Sequence, residues 1–411
     1  MSSARFFVAL LGAGAFTLSA QASSQCLSAQ HLLSQNQLPL RQSWCVDGDL
    51  ETESPRVLSK MEGSVSSHEP VCVEVKEKEY CIHTASDLGS GHSLSIVARP
   101  TAADAILAAF LASGTTPLLY KHGLEIRSVP DKGKGLVTAI SIKKKETILL
   151  ERAYVVASAQ GFANAARSQD QLLFDAVVDQ LSVVDQEVVM SLDMGLGNKS
   201  IENIMKTNAF ACQLEDGSVG DGYICLFPSV SRINHACQPN AHARFIPKTL
   251  QMEVKALRDI GAGEEISISY DKIDLKYAER QQSYKDGWNF SCTCSLCTAS
   301  RADIAGSDER RARFAQLRKM LENLTADTYD AQQIVAWEKE VMEISAREGL
   351  DVLLAADYER LAYVYAGHGM VRDAKLWAEK AKESLLEWVA VEGGPNNEVR
   401  RLDALLAELN A

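Results

Sequence analysis

Apolar and polar residues alternate with different periods along this 411-residue chain, and the period changes mark its parts. The chain opens "MSSARFFVALLGAGAFTLSAQAS": one positive charge at Arg5, an apolar run from Phe6 to Ala20, then small residues at Ala20 and Ala22. That is the pattern of a secretory signal, with cleavage expected after Ala22. The run is shorter than the roughly 20 residues that cross a bilayer, so no membrane span is expected in the mature chain. From Ser24 to about Pro100 the sequence is polar and Ser-rich, and only "VCVEVKEKEYCIH" alternates as a short strand does. "TAADAILAAFLASG" predicts a helix, and "LEIRSVP", "GLVTAISI" and "ETILLERAYVVAS" read as strands. A helical stretch is predicted from Ala163 to about Met194, carrying Leu172, Leu173, Val177, Val178 and Leu181. Short strands return at "HARFIP", "QMEVKAL" and "EISISYD", between Gly and Pro turns.

Beyond Arg301 the period becomes helical throughout, with helices expected over Glu309–Asn323, Ala331–Glu348, Leu353–Gly367, Val371–Val391 and Asn397–Leu409. Within it, "DYERLAYVYAGHGMVRDAKLWAEKAKESL" alternates large and small residues like one tetratricopeptide unit. One unit is not an array, so this part is expected to be a helical domain that packs on the rest or binds a partner. The fold class is therefore α+β followed by an all-α domain.

Composition narrows the function classes only a little. Hydrophobic and charged contents of 46% and 23% are ordinary for a globular protein. The net charge of −12 disfavours direct nucleic-acid binding, which relies on Lys and Arg to neutralise phosphates. A monomer is expected.

The ten cysteines are more informative. Cys26, Cys45, Cys72 and Cys81 lie in the first fifth, and Cys212 and Cys225 flank "QLEDGSVGDGYI". Disulfides persist in oxidising compartments, so in a secreted chain the early four should pair, with Cys212 and Cys225 as a third bridge. Sequons at Asn198, Asn289 and Asn323 agree with the secretory pathway or an extracellular location. The cytoplasm or nucleus is the alternative if the signal is not used. "SCTCSLC" sets Cys292, Cys294 and Cys297 at metal-ligand spacing, but a closed tetrahedral zinc site takes four ligands. Cys237 is the natural fourth; otherwise it is a buried free thiol and the triplet forms one disulfide and a spare.

Four motifs occur in a fixed order: "DKGKGLVTA", "RINHACQPNAHARF", "GAGEEISISYD" and "WNFSCTCSLC". Together they resemble the SET domain, the lysine methyltransferase fold, with its cysteine-rich post-SET tail. The resemblance runs from about Tyr120 to Ser300. It divides the chain into a signal peptide (1–22), a cysteine-containing N-terminal region (23–115), a SET domain (120–271), a post-SET zinc segment (272–300) and a TPR-like helical domain (303–411). It implies short-stranded sheets with a threaded pseudoknot. It also implies a protein-lysine methyltransferase that uses S-adenosylmethionine and takes a protein or peptide lysine as substrate. The cofactor pocket would be shaped by Gly133, Lys134, Gly135, Asn234, His235 and Phe290. "TNAF" and "PSVSRIN" match the branch related to the SET-and-MYND proteins and add Asn208 and Ser231. Tyr270 falls where the family keeps its catalytic tyrosine, and Cys237 would join Cys292, Cys294 and Cys297 on one zinc.

The sequence also departs from that pattern. Ala236 replaces the usual serine of N-H-S-C, and Trp288 stands where the family has a tyrosine lining the lysine channel. No cysteine lies between Cys81 and Cys212, so no MYND finger is expected. Two function classes follow: an active methyltransferase, or a secreted, catalytically silent SET-like binding module. A Cys237–His235 thiol hydrolase is the third, weakened by the lack of an orienting acid.

Overall fold

A computed structural model describes residues 69–389 and 397–410, apart from 76, 86–91, 113–117, 169–170, 196 and 215–221. The expected signal segment, Cys26 and Cys45 lie outside the described residues. Within them, "VCVEVKEKEYCIH" is a hairpin and not a single strand: β1 (Val71–Val75) and β2 (Lys78–Ala85) pair antiparallel. Glu77 takes the left-handed conformation, φ 63°, at the fold-back. The polar run from Lys76 to Glu79 marks the fold-back, where the apolar positions of one strand end and those of the next begin. Cys72 faces Cys81 in register, and the pair is disulfide-bonded with Cα atoms 4.0 Å apart.

The later strands are short because the chain changes sheets often. β3 (Leu94–Ala98) is followed by α1 (Pro100–Ala112), β4 (Leu119–Tyr120), β5 (Leu124–Val129) and β6 (Gly133–Thr138). "ETILLERAYVVAS" splits into β7 (Thr147–Arg152) and β8 (Val155–Ser158), which join different sheets. The backbone donors record that corner. Ala153 N–H goes to Leu250 O in one sheet, and Tyr154 N–H goes to Leu226 O in the other.

The predicted helix over 163–194 is three helices: α2 (Ala159–Ser168), α3 (Gln171–Asp179) and α4 (Val183–Met190). Ser182 separates the last two, because its hydroxyl accepts the Asp185 N–H and starts a new helix. Then come α5 (Ile201–Asn208), β9 (Phe210–Cys212), β10 (Tyr223–Leu226), β11 (Asn234–His235), β12 (Ala241–Ile246), β13 (Gln251–Ala256) and β14 (Ser267–Ile268). A disulfide joins Cys212 to Cys225, diagonal neighbours on β9 and β10.

The sheets run β1-β2-β3-β8-β10-β9 and β12-β13-β7-β4, with β5-β6 and β11-β14 as two-stranded pairs. One core lies among them, around Leu136, Phe210, Phe227, Ile266 and Ile268. A second lies under the helices, around Phe162, Phe174, Ile204 and Met205. β11 and β14 pair in parallel although the β12–β13 hairpin intervenes in sequence, so the chain crosses over itself there. Asn240 clasps the crossing. Its Nδ2 donates to Glu265 O at 2.8 Å, and its Oδ1 accepts Ser267 N–H at 2.8 Å.

Beyond the sheets lie α6 (Tyr277–Trp288), α7 (Arg301–Glu322), α8 (Ala331–Glu348), α9 (Ala355–Gly367), α10 (Val371–Ser384) and α11 (Asn397–Asn410). α7 begins earlier than its apolar period suggests, because Ser300 caps it through the Asp303 N–H. α9 and α10 form the tetratricopeptide-like pair, with Tyr358 stacked on Trp377 at 5.7 Å. α10 gives way to a π turn, Leu385–Val389, that lies on β12 and β13. There His242 Nε2 is 3.1 Å from Trp388 O, and Lys255 pairs with Glu387 at 2.9 Å. The helical part packs on the sheets. Among the described residues no helix is long and apolar enough to cross a membrane.

Candidate functional site

The β5–β6 hairpin, the start of β11, the end of β14 and the C-terminus of α6 enclose a cavity of about 640 Å³. That is ample for a nucleoside-sized ligand. Nearly every residue singled out in the sequence meets there: Gly133, Lys134, Asn208, Ser231, Asn234, His235, Tyr270, Trp288 and Phe290 all line it. Gly135 does not, and its role differs from the expected approach to a ligand. A Cβ on Gly135 would lie 2.7 Å from Asn234 Nδ2 and from Val129 Cγ2, so the missing side chain makes room for Asn234. Gly133, at φ +75°, faces open space; there glycine is favoured by the backbone conformation.

Asn234 is fixed by that approach. Its Nδ2 donates to Lys134 O at 3.1 Å and to Glu265 Oε1 at 2.9 Å, tying the hairpin to the crossing. Asn208 and Ser231 form the opposite wall. Asn208 Nδ2 donates to Asp193 O at 2.8 Å, and the Ser231 hydroxyl lies 3.1 Å from Asn208 O. At the mouth, the exposed Asp193 carboxylate pairs with Arg232 at 3.0 Å and Lys134 at 3.6 Å.

Tyr270 directs its hydroxyl into the protein, where it donates to Ile233 O at 2.8 Å. Burial, with the charge of Glu265, pushes this phenol well above its usual range, so it stays protonated. The Tyr270 N–H donates to His235 Nδ1 at 3.1 Å. The imidazole proton therefore sits on Nε2, 3.3 Å from the Cys237 sulfur. Burial lowers His235 to about 3, so the ring is neutral. Both ring nitrogens are engaged inside the protein, so His235 shapes the pocket without offering its imidazole to a ligand. Trp288 and Phe290 close the wall beside Tyr270, at ring separations of 5.3 and 6.3 Å.

Behind that wall, Cys237, Cys292, Cys294 and Cys297 bring their sulfurs within 4.8 Å of one another. Zinc–sulfur bonds of about 2.3 Å in a tetrahedron place sulfurs about 3.8 Å apart. Cys237 lies 3.8 Å from Cys292 and 3.5 Å from Cys297. The donor set and spacing fit one zinc, and the disulfide-plus-spare alternative finds no support, since all four are free thiols. The surroundings fit as well. Arg280 is buried, close enough to Cys237 and Cys297 for their charge to act on it. Its Nε and Nη2 lack a hydrogen-bond partner among the described residues, so an anionic thiolate cluster offers the charge they face. Gln281 clamps the tail by exchanging two 3.0 Å bonds with the Cys292 backbone.

Sequence reasoning missed Arg280 and Tyr284. Their signal was present: Arg280, Tyr284 and Trp288 recur at i, i+4 and i+8 and form the buried face of α6. Tyr284 stacks on Phe290 at 5.4 Å and meets His235 at a tilt at 4.2 Å, so it links the cysteines to the cavity wall. Asp193, Met194 and Thr207 also line the cavity. They come from a loop and a helix end with no local pattern to mark them.

Comparison with known proteins agrees with this geometry. Residues 133–271 match the SET domain family. The histone-lysine N-methyltransferase set5 of Schizosaccharomyces pombe is 30% identical over 158 residues, 38% of this chain and 49% of that protein. The N-lysine methyltransferase SMYD2-B of Danio rerio is 34% identical over 100 residues, 24% of this chain and 22% of its own. The histone-lysine N-methyltransferase SMYD3 of Homo sapiens is 32% identical over 123 residues, 29% and 28% of the two chains. The match thus spans about half the length of set5 and about a quarter of the SMYD proteins. Cavity, crossing and family match agree: residues 133–271 carry a SET domain, similar to that of the set5 and SMYD lysine methyltransferases.

Proposed function

We propose that this chain is an S-adenosylmethionine-dependent protein-lysine N-methyltransferase. The observation that carries the reading is the single cavity that gathers Lys134, Asn208, Ser231, Asn234 and Phe290 with Tyr270. S-adenosylmethionine, when bound, supplies an electrophilic methyl group on a sulfonium. Phe290, stacked on Tyr284, presents a flat face for an adenine ring. Asn234, fixed from two sides, keeps its carbonyl oxygen for the ligand; the backbone of His235 is the part of that residue that can contact it. Tyr270 is the catalytic residue of this reading. Its proton is committed to Ile233 O, so its oxygen turns lone pairs to the cavity, where they can orient a neutral lysine amine. Trp288 narrows the space beside it and, with Phe290, keeps water out and favours a cationic group near the rings. Cys237, Cys292, Cys294 and Cys297 would hold zinc as a structural clamp on the tail; no chemical step passes through it.

The two disulfides among the described residues favour an oxidising compartment. That supports a location in the secretory pathway, and with it a second reading, a secreted and catalytically silent SET-like binding module. Calorimetry with S-adenosylhomocysteine, followed by transfer of tritiated methyl to core histones as probe substrate, decides between them. Binding with transfer supports the enzyme. Binding without transfer to any lysine-bearing protein supports the silent module, and no binding removes both cofactor and enzyme.

A further inference from the structure

We propose that Glu151 is a positioning residue for this site: its buried carboxylate anchors the turn that carries one wall of the cavity and the carbonyl that orients Tyr270. The inference rests on the cofactor reading of the cavity, but its structural half can be read separately.

Glu151 lies on β7, in a different sheet from any residue of the cavity, and no motif pointed to it. Its two oxygens accept the Ser229 N–H, each at 2.9 Å, and Oε2 also accepts the Val230 N–H at 2.9 Å. Pro228 has no N–H, so these are the first two donors that the turn can offer. The turn then closes on itself, with Ser231 N–H to Phe227 O at 2.8 Å and Ile233 N–H to Val230 O at 3.0 Å. From it project Ser231, Arg232, Ile233 and Asn234, which all line the cavity. Ile233 O is the acceptor of the Tyr270 hydroxyl. The path from Glu151 to Tyr270 therefore runs through one short turn, with hydrogen bonds at both ends.

The backbone donors at this place favour an ionised carboxylate, and burial favours the protonated one. Three N–H···O contacts converge on its oxygens, and the Ser229 hydroxyl also bonds it; a proton added to the carboxylate takes a lone pair from the N–H donors and leaves that hydroxyl as the group that can turn to accept it. Yet burial opposes the charge and pushes Glu151 up to about 7, with the Ser229 and Val230 bonds pulling the other way. The ionisable groups nearest it are the phenols of Tyr120 on β4 and Tyr154 after β7, both raised and neutral near pH 7. On β13, Met252 stands opposite Glu151, and the neighbouring charges Glu253 and Lys255 are paired with Arg244 and Glu387. His235, at about 3, does not titrate in the same window. The turn should thus tighten as pH rises through about 7.

The test is calorimetry of S-adenosylhomocysteine binding between pH 6 and pH 8, on the wild type and on Glu151→Gln. The wild type should bind about tenfold more tightly at pH 8, the scale for a hydrogen bond to a charged group. Glu151→Gln, which presents an NH₂ to one of the donors, should bind about tenfold more weakly at pH 8 and lose the pH dependence. Hydrogen exchange at Ser229 and Val230, corrected for intrinsic rates, should be faster in the variant. Binding by the variant at the wild-type level, or a flat wild-type profile, would overturn the proposal while leaving the cofactor reading intact. If the wild type binds no ligand, the cofactor reading fails, and unchanged exchange at Ser229 and Val230 would then sink the anchoring role as well. The wild-type profile needs no variant, so a misfolded substitution does not shelter the idea.

Discussion

Gly135→Ala is the sharpest test of how the site is built. The added methyl would stand 2.7 Å from both Asn234 Nδ2 and Val129 Cγ2, and 2.9 Å from Glu265 Oε1. Relief to ordinary contact requires a shift of about 0.7 Å, and overpacking of this kind costs about 1–3 kcal/mol. Asn234 is the neighbour whose movement matters. Its bonds of 3.1 Å to Lys134 O and 2.9 Å to Glu265 Oε1 have little slack, and a shift of that size takes at least one beyond reach. The bond to the Glu265 carboxylate is of the charged kind, about 1.5–3 kcal/mol. If most of this falls on the bound state, S-adenosylhomocysteine affinity should drop by about 30- to 100-fold, at about 1.4 kcal/mol per tenfold. Gly133→Ala is the control. It meets open space but must hold φ +75°, so it should cost stability, about 1 kcal/mol, with little change in affinity. Calorimetry and thermal melts on both variants check this. If Gly135→Ala bound as tightly as wild type, or Gly133→Ala lost the greater affinity, the role given to Asn234 would be wrong.

Other outcomes follow from the same contacts. Tyr270→Phe removes the hydroxyl that bonds Ile233 O, so methyl transfer to histones should fall by about 10²-fold or more while the melting temperature moves little. The purified protein should hold one zinc, by emission spectrometry, and Cys294→Ser should lose it and expose the tail to protease before the sheets unfold. Non-reducing mass spectrometry should find Cys72 joined to Cys81 and Cys212 to Cys225, with the four cluster thiols alkylated only after chelation. Glu151 is raised in the fold, so its contribution to stability is present below its ordinary 4.5 and is lost as pH rises through about 7. Urea melts should therefore show Glu151→Gln flattening that fall by about 3 kcal/mol, at about 1.36 kcal/mol per pKa unit, and an unchanged slope would contradict the raised value.

The site was legible in the sequence where chemistry is concentrated in short motifs. Cys237, Cys292, Cys294 and Cys297 converge as expected, because a site for a soft metal would demand particular residues and not particular surroundings. Tyr270 and Asn234 come from separate motifs and line one cavity. What stayed hidden were dependencies between distant segments. Nothing local to Gly135 says that its empty side is filled by Asn234, nearly a hundred residues on. The corner at Ala153 was hidden too, because the change of partner strand is made by backbone bonds, Ala153 N–H to Leu250 O and Tyr154 N–H to Leu226 O, which no residue type marks.

His235 and Glu151 show why roles are harder to read than places. His235 lies beside the cavity as expected, yet the Tyr270 N–H claims one ring nitrogen and the Cys237 sulfur faces the other. Its imidazole thus couples the cysteine cluster to the tyrosine strand, and only the bond partners, which depend on the crossing of β11 and β14, reveal that. Glu151 is the converse: an ordinary acidic residue in a strand, far from every motif, whose partners are the backbone of the turn that the motif needs. A motif fixes which side chains meet, because their chemistry is written in residue type. It does not fix which backbone groups hold them, since any residue supplies an N–H or a C=O. The site therefore depends as much on contacts that leave no mark in the sequence as on the motifs that announce it.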